Sequence, residues 1–103
     1  MMCFVHALLY AEEIKEKGHD VKLIIEGSAT KLIKELADPE APFGKLFQKV
    51  KKLGLIDCVC QACSKKMGGF DSAVVQGLTI CAEMKGHPSL LRYAEDGYKV
   101  VAL

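Results

Sequence analysis

The sequence has no tryptophan, only three prolines, and no apolar run approaching the roughly 20 residues that a membrane-spanning helix needs. It also has no charge of one sign to spare. Fourteen basic residues face thirteen acidic ones, a net charge of +1, and the two signs are interleaved. That balance gives no field for gripping nucleic acid or an anionic membrane surface, so neither partner is expected. No Lys or Arg stands ahead of the apolar amino-terminal segment, so it does not read as a signal peptide. Internal repeats and low-complexity segments are lacking as well. At 103 residues the chain suffices for one small domain and not two, and 1–103 is read as that domain.

What is present is hydrophobicity, at half of the residues, and five cysteines. The thiol count is odd and the spacing uneven, unlike the even, loop-rich framework of a small secreted disulfide scaffold. The reading that follows is a cytoplasmic protein whose thiols are reduced and used for chemistry or metal.

Apolar residues predict where the elements lie. Met1 to Ala11 is apolar except at His6, and the stretch through Lys17 reads as one helix closed by Gly18. So apolar a helix usually follows a strand, and a first strand is read as missing or replaced by a partner's contact. Val21–Ile25 reads as a strand, and Ser28 as the N-cap of a helix carrying Leu32, Ile33 and Leu36. Phe43, Leu46, Phe47, Val50 and Leu53 fall at helical spacing, with lysines on the outer side. Strands are predicted near 20–26, 55–60, 78–81 and 98–102, and a last helix after Pro88 with Leu90, Leu91 and Tyr93 inward. Strands alternating with helices, with nearly continuous apolar runs, predict an α/β fold: a parallel sheet covered by helices on both faces, a three-layer sandwich.

The densest chemistry is Cys58-Val59-Cys60-Gln61-Ala62-Cys63, three thiols in six positions where a strand gives way to a helix. Helix N–H groups favour the thiolate, as would Lys65 and Lys66 nearby, so Cys60 is expected to have a lowered pKa and to be the most reactive thiol. The plain alternative for each cysteine is a small buried hydrophobe. Sites in parallel sheets form beyond the carboxyl ends of the strands. Cys81 ends the third predicted strand, Cys3 opens the first helix, Ser28 follows the first strand and His87 precedes the last helix. All are therefore supporting candidates at one edge, Cys3 and Cys81 leaning to packing and His87 evenly balanced with a helix cap or loop hydrogen bond.

Met2-Cys3-Phe4-Val5-His6, Lys17-Gly18-His19-Asp20-Val21, the C-x-C-x-x-C stretch, Gly86-His87-Pro88-Ser89, Arg92-Tyr93 and Gly97-Tyr98 together resemble the DsrE/DsrF-like family, which includes sulfur-relay proteins. The resemblance covers the whole chain. It implies a three-layer α/β/α fold, here lacking the usual first strand, and assembly as homotrimers or hexamers. Cys60, then Lys65-Lys66 and Gly68, is similar to the layout in which one cysteine carries a persulfide, with sulfur donor and acceptor proteins as partners. A resolving Cys63 departs from single-cysteine carriage. Sulfur transfer through Cys60 and Cys63, with no cofactor and no metal, is the leading reading. The alternatives are a metal-binding module through Cys58, Cys60 and Cys63 with Cys81 or His87, and a non-catalytic oligomeric interaction protein.

Overall fold

A computed structural model describes residues 2–103. Helix α1 (Met2–Glu16) is followed by strand β1 (Leu23–Ile25), a 3-10 turn over Gly27–Lys31, α2 (Leu32–Leu36) and α3 (Gly44–Lys52). Strand β2 (Ile56–Cys60) runs directly into α4 (Gln61–Met67), and α5 (Phe70–Val75), β3 (Ile80–Cys81) and α6 (Leu90–Glu95) complete the order.

The three strands form one parallel sheet in the order β1-β2-β3. The central strand is β2, which places Cys58, Val59 and Cys60 where backbone pairing is on both sides. Successive side chains of a strand alternate between faces. Val59 and Ile25 enter a core with Phe4, Leu8 and Ala11 of α1, Ile33 and Leu36 of α2, Phe47 and Val50 of α3 and Ala73 of α5. Phe4, Leu8 and Ala11 recur at three- and four-residue spacing, which lays one stripe of α1 on this core. Cys58 and Cys60, on either side of Val59, point to the other face, where Tyr93 of α6 meets Cys58. Helices therefore cover both faces, and the α/β sandwich with a parallel sheet stands as read.

Some sequence expectations need correction. The segment 98–102 forms no strand; beyond half-buried Tyr98 it is exposed, with Val101 75 % accessible. Three strands, not four, make the sheet, and among the described residues none precedes α1. Ser28 caps no helix: it sits exposed inside the 3-10 turn, whose N-cap is Glu26, while Lys31 is the N-cap of α2. In α6 only Tyr93 is buried, and Leu90 and Leu91 face outward. Among the described residues no helix is long and apolar enough to cross a membrane.

Candidate functional site

Three connections leave the carboxyl ends of the three parallel strands, and the functional side chains sit on them. The first is the 3-10 turn after β1. Its Thr30 is fully buried, and the hydroxyl proton is shared between the Gly27 carbonyl at 2.8 Å and the Cys63 carbonyl at 3.2 Å. That bond ties the turn to α4, the second connection. Gly69, just past α4, packs so closely on Thr30 that a Cβ there would meet its carbonyl oxygen at 2.1 Å.

Cys60 ends β2 and is the N-cap of α4. Its sulfur accepts the Cys63 N–H at 3.4 Å, as a capping side chain does. Gly68 closes this helix in the left-handed region, φ 80°, as read from the Gly68-Gly69 pair.

The third connection follows β3. Met84 and His87 exchange backbone hydrogen bonds of 2.8 and 3.0 Å, closing a two-residue turn over Lys85 and Gly86. Both turn residues have positive φ, 53° and 89°, the requirement of a type I′ turn, which explains the glycine. The Gly86 carbonyl accepts the Ala62 N–H at 2.9 Å, so the turn is fastened to the first residues of α4. The Glu83 carboxylate braces the turn from behind. It accepts the Ser89 N–H at 3.1 Å and the Ala82 N–H at 3.0 Å, and it pairs with Arg92 at 3.1 Å. The Ser89 N–H, foremost among these, holds the Glu83 carboxyl below the usual range.

With these ties in place, Cys60 Sγ lies 3.2 Å from His87 Nδ1 and 3.7 Å from the Gly86 carbonyl. The Cys60 and Cys63 sulfurs and a His87 ring nitrogen all lie within 4.8 Å of one another. Cys60 is fully buried, whereas Cys63 and His87 are half-buried. Burial pushes the Cys60 thiol up, more than the Cys63 and Ala62 N–H groups draw it down. The expected lowering is thus reversed. One reason is that Lys65 and Lys66 occupy the last turn of α4, away from Cys60, and the Lys65 ammonium lies over the Phe70 ring at 4.9 Å.

The other sequence candidates divide. Cys58 and Cys81 are joined as a disulfide, with Cα atoms 5.7 Å apart. They supply neither free thiols nor metal ligands, so the expectation of five reduced thiols and of Cys58 as a ligand is overturned. Cys3, Cys60 and Cys63 are the free thiols. Exposed Cys3 and Ser28 are not in the cluster, but they line the same groove as Cys63 and His87, a cavity of about 1410 Å³ bounded by α1, β1 and residues 96–103. One supporting network went unread in the sequence. Tyr93, 2 % accessible, donates its hydroxyl proton to Asp57 and accepts from Arg92 Nη2 at 2.7 Å, so α6 is fixed to β2 beneath the thiols. Burial, and then the bond to Asp57, push the Tyr93 hydroxyl up, so it keeps its proton.

Three archaeal proteins are similar to this chain. One from Methanocaldococcus jannaschii, described as uncharacterized, is 36 % identical over 103 residues, all of this chain and 82 % of that protein. Another, from Archaeoglobus fulgidus and also described as uncharacterized, is 59 % identical over 29 residues, 28 % of this chain and 48 % of its own length. A second protein of that organism is 40 % identical over 35 residues, 34 % of this chain and 95 % of its own. No solved structure matches the chain. The pattern of the DsrE/DsrF-like family matches residues 5–103, and with the parallel sheet and the cysteines at its carboxyl edge the conclusion is that this chain belongs to the DsrE/DsrF-like family.

Proposed function

We propose that the chain is a thiol-based sulfur carrier in which Cys60 holds a persulfide and Cys63 resolves it. The observation that carries this reading is the contact of Cys60 Sγ with His87 Nδ1 at 3.2 Å, with Cys63 beside both. A buried thiol whose pKa is raised is a poor nucleophile unless a base takes its proton as it reacts, and the His87 ring nitrogen is placed to do so. The Cys63 N–H then stabilises the thiolate.

In the loading step the Cys60 thiolate attacks the outer sulfur of a donor persulfide, R–S–SH. A sulfur–sulfur bond forms at Cys60, the one in the donor breaks, and the donor leaves as a thiolate that takes the proton held on His87. Delivery runs the same exchange toward an acceptor thiolate. Where no acceptor is present, the Cys63 thiolate attacks the inner sulfur of the Cys60 persulfide. A Cys60–Cys63 disulfide forms, hydrosulfide leaves, and an external dithiol must reduce the pair. Donor and acceptor proteins are thus the partners, and the Cys60–Cys63 pair must be kept reduced although Cys58 and Cys81 are joined. Assembly as a homo-oligomer is supported by the exposed Leu90, Leu91, Val100, Val101 and Leu103, and a trimer or hexamer is what the family resemblance implies. A monomer in light scattering at micromolar concentration overturns that part.

Sulfur carriage is tested by intact-mass measurement after incubation with polysulfide. Cys63→Ser gains one sulfur atom that a reductant removes, the wild type gains it only in passing and ends two hydrogens lighter as the Cys60–Cys63 disulfide, and Cys60→Ser gains none. Equal loading of Cys60→Ser overturns the reading.

A further inference from the structure

We propose that Cys60, Cys63 and His87 form a three-ligand site for a thiophilic divalent ion, zinc, with the fourth position open to the groove. The site is the one described above, but the proposal does not depend on sulfur carriage.

Donor geometry comes first. Tetrahedral zinc, with ligand bonds of about 2.3 Å to sulfur and about 2.0 Å to nitrogen, holds two sulfurs about 3.8 Å apart and a sulfur and a nitrogen about 3.6 Å apart. Here Cys60 Sγ and His87 Nδ1 are 3.2 Å apart, and no pair in the cluster exceeds 4.8 Å. Each pair therefore needs to shift by no more than about 1.2 Å to meet the ideal spacing. The backbone that carries the donors is already joined, through the Ala62 N–H to the Gly86 carbonyl, so a metal would not have to assemble the site.

Donor chemistry narrows the ion. Two sulfurs and an imidazole make a soft set, and no carboxylate belongs to the cluster among the described residues. Magnesium and calcium, which require oxygen, are excluded, and zinc is well matched. Two thiolates and Zn²⁺ sum to zero charge, so filling the site leaves no net charge at fully buried Cys60. The Cys63 N–H, already directed at Cys60 Sγ, would steady a ligand sulfur.

The fourth position follows from what the other cysteines do. Cys58 and Cys81 are bonded to each other and cannot complete a closed structural site. Cys63 and His87 line the groove, so the remaining ligand is water or a small thiol from solution. An ion there blocks both thiols that a sulfur donor must reach. Zinc thus becomes an inhibitor of loading, and occupancy of one site by metal or by sulfur becomes exclusive.

The test uses the full chain, stripped with a chelator, with the Cys58–Cys81 bond intact. Zinc is titrated against a chromophoric chelator, and cobalt(II) serves as a spectroscopic substitute. The expected result is one ion per chain, with thiolate-to-cobalt charge-transfer absorption and tetrahedral d–d bands. Cys60→Ser, Cys63→Ser and His87→Ala should each weaken binding at least tenfold, and Cys3→Ser should not change it. In the unsubstituted chain zinc should slow alkylation of Cys60 and Cys63 and leave Cys3 unaffected, a readout that needs no variant to fold. Failure of the wild type to retain zinc, undiminished binding by Cys60→Ser, or an octahedral cobalt spectrum overturns the proposal. Persulfide loading is measured separately on the metal-free chain. Loading without zinc binding overturns only the metal site, and zinc binding without loading overturns only the sulfur-carrier reading.

Discussion

Cys81 lies directly opposite Cys60 in the β2–β3 ladder, yet its sulfur is bonded to Cys58, two residues back on β2. Cys58 and Cys60 share a face of the strand, so the disulfide lies one pleat beneath the free thiol. It fastens the central strand to the short β3, whose two residues would otherwise hold the His87 turn by few backbone bonds.

Removal of that bond should lower stability without abolishing the site. The two cysteines are 23 residues apart, and a loop of that size contributes about 3 kcal/mol in the chain-entropy account. The paired change Cys58→Ala with Cys81→Ala should lose about that much in urea denaturation, while intact mass still shows sulfur loading at Cys60. A loss within error would mean that the bond does not form. A thiol titration under denaturing, non-reducing conditions should find Cys3, Cys60 and Cys63 reactive and the other two silent.

The pH dependence of Cys60 has a definite sign. Burial raises its pKa in the folded state, so folding favours the thiol over the thiolate. Its contribution to stability is present below the unfolded value of roughly 8.5 and is lost as pH rises through the folded value. Alkylation of native Cys60, followed by peptide mapping, should therefore titrate above an unstructured thiol. A midpoint below that of a model thiol would contradict the burial seen here.

Tyr93→Phe should destabilise the fold by about 1–3 kcal/mol, because Asp57 loses a donor and Arg92 an acceptor at a buried position. The ring remains, so the loss reports the hydroxyl alone. Urea unfolding of the variant beside the wild type measures it, and a difference under half a kcal/mol would show that the network is replaced by solvent.

Gly69→Ala tests the joint between the β1 connection and α4. A methyl group there meets the Thr30 carbonyl oxygen at 2.1 Å, and the backbone must move to admit it. A loss of about 1–3 kcal/mol is expected, as for overpacking, together with slower sulfur loading as Cys63 shifts. Calorimetry and the loading assay read the two effects, and Gly69→Ala behaving as wild type in both would remove this joint from the site.

Much of the architecture was legible from short-range pattern. Phe47 and Val50 sit in an amphipathic helix with lysines outside, and β2 ends in a thiol turn closed by Gly68. The edge rule put Cys60, Cys63 and His87 at one sheet edge together with Cys3, Cys58, Cys81 and Ser28, but it carries no distance, so which of them meet was not legible. The error at 98–102 has a physical origin: Val100 and Val101 suit a strand, but a strand needs a neighbour to pair with, and here they find none. The Cys58–Cys81 bond was unreadable because the spacing of five thiols fixes no pairing. The tie from Tyr93 to Asp57 spans 36 residues and leaves no periodic trace. Lys65 and Lys66 misled because closeness in sequence to Cys60 put them a helical turn too far along α4.

Among the described residues β1 is bonded to β2 alone, while β2 is bonded on both sides. The sheet therefore has a gradient of amide protection. In deuterated water the paired amides of β1, such as that of Leu23, should exchange through local fraying, whereas those of Cys58–Cys60 should wait for larger openings. The two sides of the candidate site would then lose order at different denaturant concentrations. The groove wall at β1 would loosen first, exposing Cys63 to reagents while Cys60 is still enclosed.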